Sequence, residues 1–256
     1  MGFLMRLCIL FFSVIFPIFG LAGVMPEKSR IVFDAKNTTQ SYMLANTNNY
    51  PVFVQLWVDD GEFNQSPEST SSPFIITPVI LKIDSLKLNE IKVIFSGDSD
   101  KINKNQESLF WLNILEIPPK KNESSSYNDI ALSMLTQIKL IYRPENLKIG
   151  ENELIDKLEE INFTITKGSN GYFELKINNP TNYVASLAEI NLLDNENNRK
   201  IGIKSGESSS LTLLPKSNEV IHTNLSSNSG SFSSIGYFLI DDEGKFIYRM
   251  KKLIKI

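Results

Sequence analysis

The sequence predicts an all-β protein built from two sandwich domains, and three observations support this fold class. Short runs rich in β-branched and aromatic residues recur along the chain, bounded by Asn, Asp, Gly, Ser or Pro. No long stretch carries a convincing helical repeat, and the best helical candidate, residues 151–160, is short. The strand pattern is interrupted at Arg143 to Asn146, because Pro144 cannot donate a hydrogen bond to a sheet ladder. The spacing of the runs is typical of antiparallel sandwiches or barrels.

The predicted strands fall into two groups, one on each side of Pro144. The first group covers residues 29–33, 41–45, 52–58, 90–95 and 109–114. The second group covers residues 161–165, 172–177, 185–193, 209–213 and 234–240. Turn sequences at 178–181 and 241–244 separate strands of the second group. We therefore predict one domain over residues 23–145 and another over residues 146–256.

A predicted strand just before Pro144 carries an apolar stripe. Ile130, Leu132 and Met134 are spaced two residues apart, so their large side chains share one face of a strand. The same segment continues to Lys139, a cation in an otherwise apolar run. The residues alone leave two interpretations open. Either the stripe packs on the protein's own core, or the strand is offered to another protein.

The first 22 residues have the features of a cleavable secretion signal. One positive charge precedes an apolar run over residues 7–19, which is too short to span a bilayer comfortably. The small residues Gly20 and Ala22 have the spacing that signal peptidase requires. An uncleaved membrane anchor is the alternative. We expect residues 1–22 to be removed and the mature chain to begin at Gly23, with no membrane insertion elsewhere.

Composition argues against several classes of function. The formal net charge of −3 and the lack of a basic cluster do not suit a nucleic-acid-binding protein. The single cysteine, Cys8, lies in the predicted signal, so a secreted mature chain would rely on its cores and not on disulfides. The single histidine, His222, lies in a strand-like run, and neither a Ser-His-Asp triad nor a zinc cluster is evident.

Adjacent carboxylates at 59–60 and 241–242 are the strongest remaining signal for an enzyme. A glycosidase uses a pair of carboxylates, but adjacent residues on a strand face opposite ways. Both pairs lie at strand ends, where turn formation accounts for them better. The sequence therefore predicts no enzyme, no catalytic residue, no metal site and no cofactor.

Motifs along both halves of the chain occur in an order that is similar to one known family. They are 29–33 with its arginine, 46–57, 73–78, 107–119, 138–144, 179–181 and 214–217. Together these motifs resemble the periplasmic pilus chaperones of the bacterial chaperone–usher pathway. The moderate, polar loop at 120–128 is similar to that of the short-loop subgroup.

The resemblance implies two immunoglobulin-like β-sandwich domains set at an angle, like a boomerang, with a cleft between them. It implies a periplasmic chaperone that stabilises pilus or fimbrial subunits lacking their last strand and delivers them to an outer-membrane usher. In such donor-strand complementation, Ile130, Leu132 and Met134 would fill successive pockets of the subunit's groove. Whether the free chaperone caps its own edge as a homodimer is left open.

The resemblance also assigns two sets of charged residues. Arg30 and Lys139 match the pair that holds the C-terminal carboxylate of the subunit in the cleft. Strict alternation places Lys139 on the face opposite the stripe unless a bulge intervenes, so its place in the cleft rests on the resemblance. Lys92, Glu107 and Asp242 match an ion-pair network that joins the domains, with lysine where arginine is usual. A plain surface-charge role is an equal alternative for Lys92.

Two other functions compete with an assembly chaperone. One is a secreted structural or adhesive sandwich protein that self-assembles through its edge strands. The other is a carbohydrate-active enzyme that uses acidic residues. The pair formed by Arg30 and Lys139 favours the chaperone, because a structural module has no need for a carboxylate clamp.

Overall fold

The computed structural model describes ten stretches of the chain. These are residues 23–61, 67–68, 70, 72–97, 102–119, 132–168, 171–194, 200–202, 210–226 and 230–255. The predicted signal, residues 1–22, and Ile130 of the apolar stripe lie outside the described residues. None of the described helices has the length and apolar character needed to span a membrane.

Nine strands of the described chain precede Pro144 and form two sheets. They are β1 (Val24–Pro26), β2 (Arg30–Asp34), β3 (Thr39–Asn46), β4 (Val52–Asp59), β5 (Phe74–Thr77), β6 (Ile80–Ile83), β7 (Leu88–Phe95), β8 (Ser108–Ile117) and β9 (Met134–Arg143). The strand orders are β1-β3-β7-β5 and β2-β9-β8-β4-β6. Neighbours are antiparallel except β2 and β9, which run parallel.

The chain after Pro144 begins with a 3₁₀ turn and one α-helix and then forms two further sheets. These elements are the turn Glu145–Leu147, α1 (Glu151–Leu158), β10 (Asn162–Lys167), β11 (Tyr172–Asn178), β12 (Ala185–Leu193), β13 (Lys200–Gly202), β14 (Ser210–Leu213), β15 (Asn218–Ser226), β16 (Ser234–Ile240), β17 (Phe246–Lys252) and β18 (Ile254–Lys255). The strand orders are β15-β11-β10-β18 and β13-β12-β16-β17, and β14 also pairs with β12.

Each pair of sheets encloses its own hydrophobic core. Phe33, Leu56 and Leu112 are buried in the first core, and Phe163 and Leu187 are buried in the second. Among the described residues, no buried side chain belongs to both cores. The protein therefore consists of two β-sandwich domains, which confirms the fold class predicted from the strand pattern. The boundary between residues 145 and 146 stays a prediction.

The strands predicted from sequence all overlap observed strands, because alternation of buried and exposed residues is a local property. The prediction did not include β1, β5, β6, β13, β17 or β18, and it recognised β15 only as a strand-like run around His222. The strands β1, β5, β6, β13 and β18 are at most four residues long, which is too short for a clear alternation. In β17 the alternation is present, but every large apolar residue on one face is exposed.

Helix α1 spans Glu151–Leu158, within the predicted 151–160. Leu154, Ile155 and Leu158 are its buried residues, and their spacing of one and four residues forms a single face. Acidic residues in the first turn and a lysine in the last turn complement the helix dipole. Packing of that apolar face on the second core stabilises a helix this short, which would not persist alone.

Strand β9 positions the features that matter for function. Its pairing with β8 is unbroken from Met134 opposite Glu116 to Tyr142 opposite Ser108. No bulge intervenes, so Lys139 points to the face opposite Met134, as alternation predicts. On its other side, β9 pairs with β2 only from Lys139 onward. The backbone edge of β9 before Lys139 therefore has no strand partner on that side among the described residues.

Candidate functional site

Two buried cations lie next to each other on the outer face of the first domain. Arg30 on β2 is directly opposite Lys139 on β9 in the parallel register. Only 5% of Arg30 and 7% of Lys139 is exposed. The next residues along each strand, Ile31 and Leu140, are buried in the first domain, so the cations point away from its core. The predicted pairing of Arg30 with Lys139 is thus present in the structure.

The second domain covers this cation pair with neutral acceptors. The Lys139 ammonium donates to Ser186 Oγ at 2.7 Å. The Arg30 Nη1 group donates to the carbonyl of Ile240 at 3.2 Å and to Ser186 Oγ at 3.4 Å. Ser186 lies on β12 and Ile240 ends β16, so the pair sits where the two domains meet. The sequence analysis did not single out Ser186 or Ile240, because neither belongs to a motif with a spacing signal.

No carboxylate of the described residues forms an ion pair with Arg30 or Lys139. Asp241 and Asp242 act on Arg30 only at longer range. The Lys139 ammonium lies 5.9 Å from the centre of the Trp111 ring, close enough for a cation–π contact. Arg30 Nε is buried and has no hydrogen-bond partner among the described residues.

The pKa values of both cations respond to this environment. Burial, with a contribution from the charge of Arg30, lowers the pKa of Lys139 from 10.5 to about 7. Burial also lowers the pKa of Arg30, against the opposing effect of Asp242 and Asp241. A carboxylate placed between the two side chains would supply the missing negative charge and accept charge-assisted hydrogen bonds. The chemistry of the site therefore suits a carboxylate ligand.

The apolar stripe is exposed where the structure describes it. Leu132 is 80% exposed and lies before β9 begins, so the strand starts later than the sequence predicts. Met134, the first residue of β9, is 46% exposed. Its terminal methyl lies 2.5 Å from where a Cβ on Gly23 would be, so that glycine gives it room. These exposures argue against a stripe packed fully on the protein's own core.

A buried ion-pair network joins the two domains close to this site. The Arg143 Nε group donates to Glu107 at 2.5 Å, and its two Nη groups donate to Asp242 at 2.6 and 3.1 Å. The second carboxylate oxygen of Glu107 accepts from the backbone N–H of Val184 at 2.7 Å. These hydrogen bonds, with the charges of Glu107 and Asp242, outweigh the effect of burial and raise the pKa of Arg143. The network thus ties the first domain to two segments of the second.

The prediction that Lys92 belongs to this network is wrong. Lys92 lies on β7, in the other sheet of the first domain, where it is exposed and opposite Ser41 and Thr77. Arg143 takes the role instead, and its planar guanidinium makes the bidentate contact with Asp242 that a lysine cannot make. The signal available in the sequence was an arginine immediately before Pro144, at the predicted domain junction.

The residues considered for catalysis have structural contacts. Asp59 accepts from Asn113 at 2.6 Å and from the backbone of Gly61 at 2.9 Å. Asp241 accepts from two backbone N–H groups of the turn before β17. The side chain of His222 is 72% exposed and 3.3 Å from Glu174. Among the described residues, no group of three or more His, Cys, Asp or Glu side chains could hold a metal ion.

The fold and this site define a binding protein made of two immunoglobulin-like sandwiches with a cation pair at their junction. Two family models match the chain. The pili and flagellar-assembly chaperone PapD N-terminal domain matches residues 23–148, and the pili assembly chaperone PapD C-terminal domain matches residues 156–248. The chain therefore belongs to the PapD family of pili assembly chaperones.

Individual relatives agree with this assignment. The probable fimbrial chaperone YadV of Escherichia coli is 30% identical over 227 residues, which cover 88% of this chain and 87% of that protein. The chaperone FimB/FhaD of Bordetella pertussis is 28% identical, covering 87% of this chain and 85% of that protein. The crystal structure of the YadV chaperone matches with a TM-score of 0.70 and 26% identity, covering 90% of this chain and 99% of that one.

Proposed function

We propose that this chain is a periplasmic chaperone that lends part of β9 to pilus or fimbrial subunits and passes them to an outer-membrane usher. The predicted signal at residues 1–22 would direct the chain to the periplasm. The observation that carries the proposal is the buried pair of Arg30 and Lys139, which has no ion-pair partner among the described residues, beside an exposed stripe on an open strand edge.

The pair of Arg30 and Lys139 has the chemistry to hold the C-terminal carboxylate of a subunit. Both side chains are donors, both are buried, and the acceptors around them in the described structure are neutral. A carboxylate would contribute charge-assisted hydrogen bonds in a poorly hydrated site. Holding the terminus at one point would fix the register of the subunit's last strand along β9.

The exposed start of β9 has the chemistry to complete an unfinished sheet. Its backbone edge before Lys139 can accept a further strand, which is the mode of β-strand addition. Leu132, Met134 and the undescribed Ile130 would enter the groove of the subunit. Full burial of such side chains contributes about 1.5–3 kcal/mol each, before the cost of ordering the loop is subtracted.

The alternative of a self-assembling structural protein explains less. Edge-to-edge self-assembly needs an open strand edge but no buried cations, and burying two unpaired charges costs stability. A homodimer that caps the edge of β9 in the free protein is compatible with the chaperone proposal. Size-exclusion chromatography of the free chain would separate these oligomeric states.

The test is recovery of a subunit from the periplasm. A tagged chain is expressed in its source bacterium, and the small β-rich protein recovered with it is identified by mass spectrometry, including its intact C-terminus. We expect Arg30→Ala and Lys139→Ala to abolish recovery of that subunit while each variant keeps its thermal unfolding transition.

The matched control is Lys82→Ala, which removes an exposed lysine of the same sheet whose nearest acidic partner is Asp84 at 3.1 Å. Recovery with this variant should equal recovery with the unmodified chain. Normal recovery with both Arg30→Ala and Lys139→Ala would overturn the carboxylate clamp.

A further inference from the structure

Strand β17 exposes three large apolar side chains in a row. Phe246 is 58% exposed, Tyr248 47% and Met250 55%. Residues two apart on a strand share a face, so the three form one continuous stripe. Single exposed apolar residues are ordinary, but a contiguous apolar surface of this kind marks an interaction site.

Strand β16 widens the stripe into an aromatic surface. Phe238 lies opposite Tyr248, with ring centres 5.4 Å apart, and its ring centre is 6.1 Å from that of Phe246. A Cβ on Gly236 would be only 2.5 Å from the Tyr248 hydroxyl, so Gly236 lets the Tyr248 ring lie across the sheet. We call Phe238, Phe246, Tyr248 and Met250 the β17 patch.

The β17 patch faces the same way as the acceptors of the cation pair. Phe238 is opposite Ala188 on β12, and Ser186 lies two residues before Ala188 on the same face. Ser186 accepts the hydrogen bond from Lys139 at 2.7 Å. The core of the second domain is on the opposite face, where Leu187 is fully buried. The patch and Ser186, which covers the cation pair, therefore lie on the same face of this sheet.

The patch also lies close to the cation pair. Phe246 lies opposite Ile240, whose carbonyl accepts from Arg30, and neighbouring strands are about 5 Å apart. From Phe246 to Met250 the stripe runs about 13 Å along β17. A protein bound at the cation pair would have the patch within reach of its own surface.

We propose that the β17 patch is a second contact surface for the subunit whose C-terminal carboxylate the cation pair receives. It would pack against apolar side chains on the subunit surface next to that terminus. This inference rests on the proposed function and adds a contact in the second domain to those of β9.

The opposite face of β17 is fixed to the rest of the second domain. Arg249 Nε donates to Glu159 at 2.6 Å, and the Lys251 ammonium donates to the carbonyls of Glu159 and Ile161. These contacts hold the face of β17 opposite the patch to the segment that follows α1. A strand fixed in this way presents its apolar face already ordered, which lowers the entropy cost of binding.

Side-chain footprinting with hydroxyl radicals tests the contact directly. The probe is the subunit recovered with the tagged wild-type chain and identified by its mass. We expect oxidation of Phe246, Tyr248 and Met250 to fall several-fold in the purified complex relative to the free chain. Tyr172, which is 45% exposed on the other sheet of the same domain, should be oxidised equally in both.

A double variant measures what the patch contributes. We expect Phe246→Ser with Tyr248→Ser to speed dissociation of the subunit about tenfold, since a few buried aromatic anchors dominate most interfaces. The matched control is Tyr172→Ser with Val220→Ser, two exposed residues of the opposite sheet, which should leave dissociation unchanged. Thermal unfolding of each variant checks that the fold is retained.

The outcomes separate this inference from the proposed function. The inference alone would be overturned by three results together. Arg30→Ala would lose binding of the subunit, the wild-type complex would show no footprint on the patch, and the double variant would release the subunit at the wild-type rate. A wild-type chain that recovers no subunit would overturn the proposed function as well. Protection of the patch in the free chain, together with a dimer in size-exclusion chromatography, would assign the patch to a second copy and overturn the inference.

Discussion

The charge of Lys139 depends on the residues that surround it. Arg30 on β2, Trp111 on β8 and Ser186 on β12 are its close neighbours, and none of them carries a negative charge. Burial, with the charge of Arg30, lowers the pKa of Lys139 to about 7, so the lysine of the free protein is largely neutral above that pH. A bound carboxylate favours the charged form and raises this pKa again.

Binding of a subunit should therefore take up a proton at alkaline pH. Below pH 7 Lys139 is already charged, whereas above pH 7 it must be protonated on binding, so affinity should fall as the pH rises from 7 to 9. Titration calorimetry at pH 8 in buffers of different ionisation enthalpy measures the proton uptake. Lys139→Arg is the control, because arginine stays charged and should abolish this pH dependence. An uptake of zero in the wild-type complex would contradict the prediction.

The same pKa shift affects the stability of the free chain. The unfolded chain has an ordinary lysine with a pKa of 10.5, and the folded chain has one of about 7. Between these values the unfolded state binds more protons, so stability should rise with pH across this window. The destabilising effect of the buried charge is fully present below pH 7. Comparison of urea unfolding of the wild type and Lys139→Met at pH 6.5 and 9 would isolate the contribution of Lys139.

At the scale of one element, the unbroken register of β9 explains why Lys139 and the stripe lie on opposite faces of the strand. The strand needs no bulge, because its two faces have two roles. One face presents Lys139 to the second domain, and the other carries Met134, which is half exposed at the start of the strand. A shift of one residue in this register would move every side chain of β9 to the other face. Lys139 would then no longer point toward the second domain, and Met134 would no longer lie on the face of the stripe.

Leu132→Asp tests the stripe. Leu132 is 80% exposed, so the substitution should leave the stability of the free chain within about 0.5 kcal/mol of wild type. In the complex the carboxylate would enter an apolar groove, and we expect affinity to fall at least tenfold. Titration calorimetry with the purified subunit measures the effect. Leu88→Asp, at a 66% exposed leucine on β7, is the control, and equal affinities for the two variants would show that the stripe does not enter the partner.

At the scale of the whole molecule, the network around Arg143 holds the two domains together. Glu107 is 2% exposed and Arg143 is 8% exposed, so both charges depend on each other for compensation. Arg143 also lies 5.8 Å from the centre of the Tyr183 ring, a contact between residues of the two domains. A fixed junction keeps Ser186 over the cation pair.

Arg143→Met should destabilise the protein by about 3–5 kcal/mol, because it leaves Glu107 buried without its partner. The double variant Arg143→Met with Glu107→Leu removes both buried charges and should be less destabilised than the single variant. Urea unfolding at pH 7, followed by tryptophan fluorescence and circular dichroism, measures both. Arg249→Met, at a more exposed ion pair with Glu159, should cost at most about 1 kcal/mol. Equal losses in the single and double variants would contradict the account.

The sequence by itself determined the all-β class, the two sandwiches and the spacing of the stripe, because alternation along a strand is local. The resemblance supplied the pairing of Arg30 with Lys139, which the parallel register of β2 and β9 then displayed. Only the tertiary structure decided that Arg143, and not Lys92, joins Glu107 to Asp242. Residues 143 and 242 are 99 apart in sequence, so their contact depends on how the two domains pack. Ser186 and the β17 patch were missed for the same reason, since the role of each depends on which sheet face meets the cation pair.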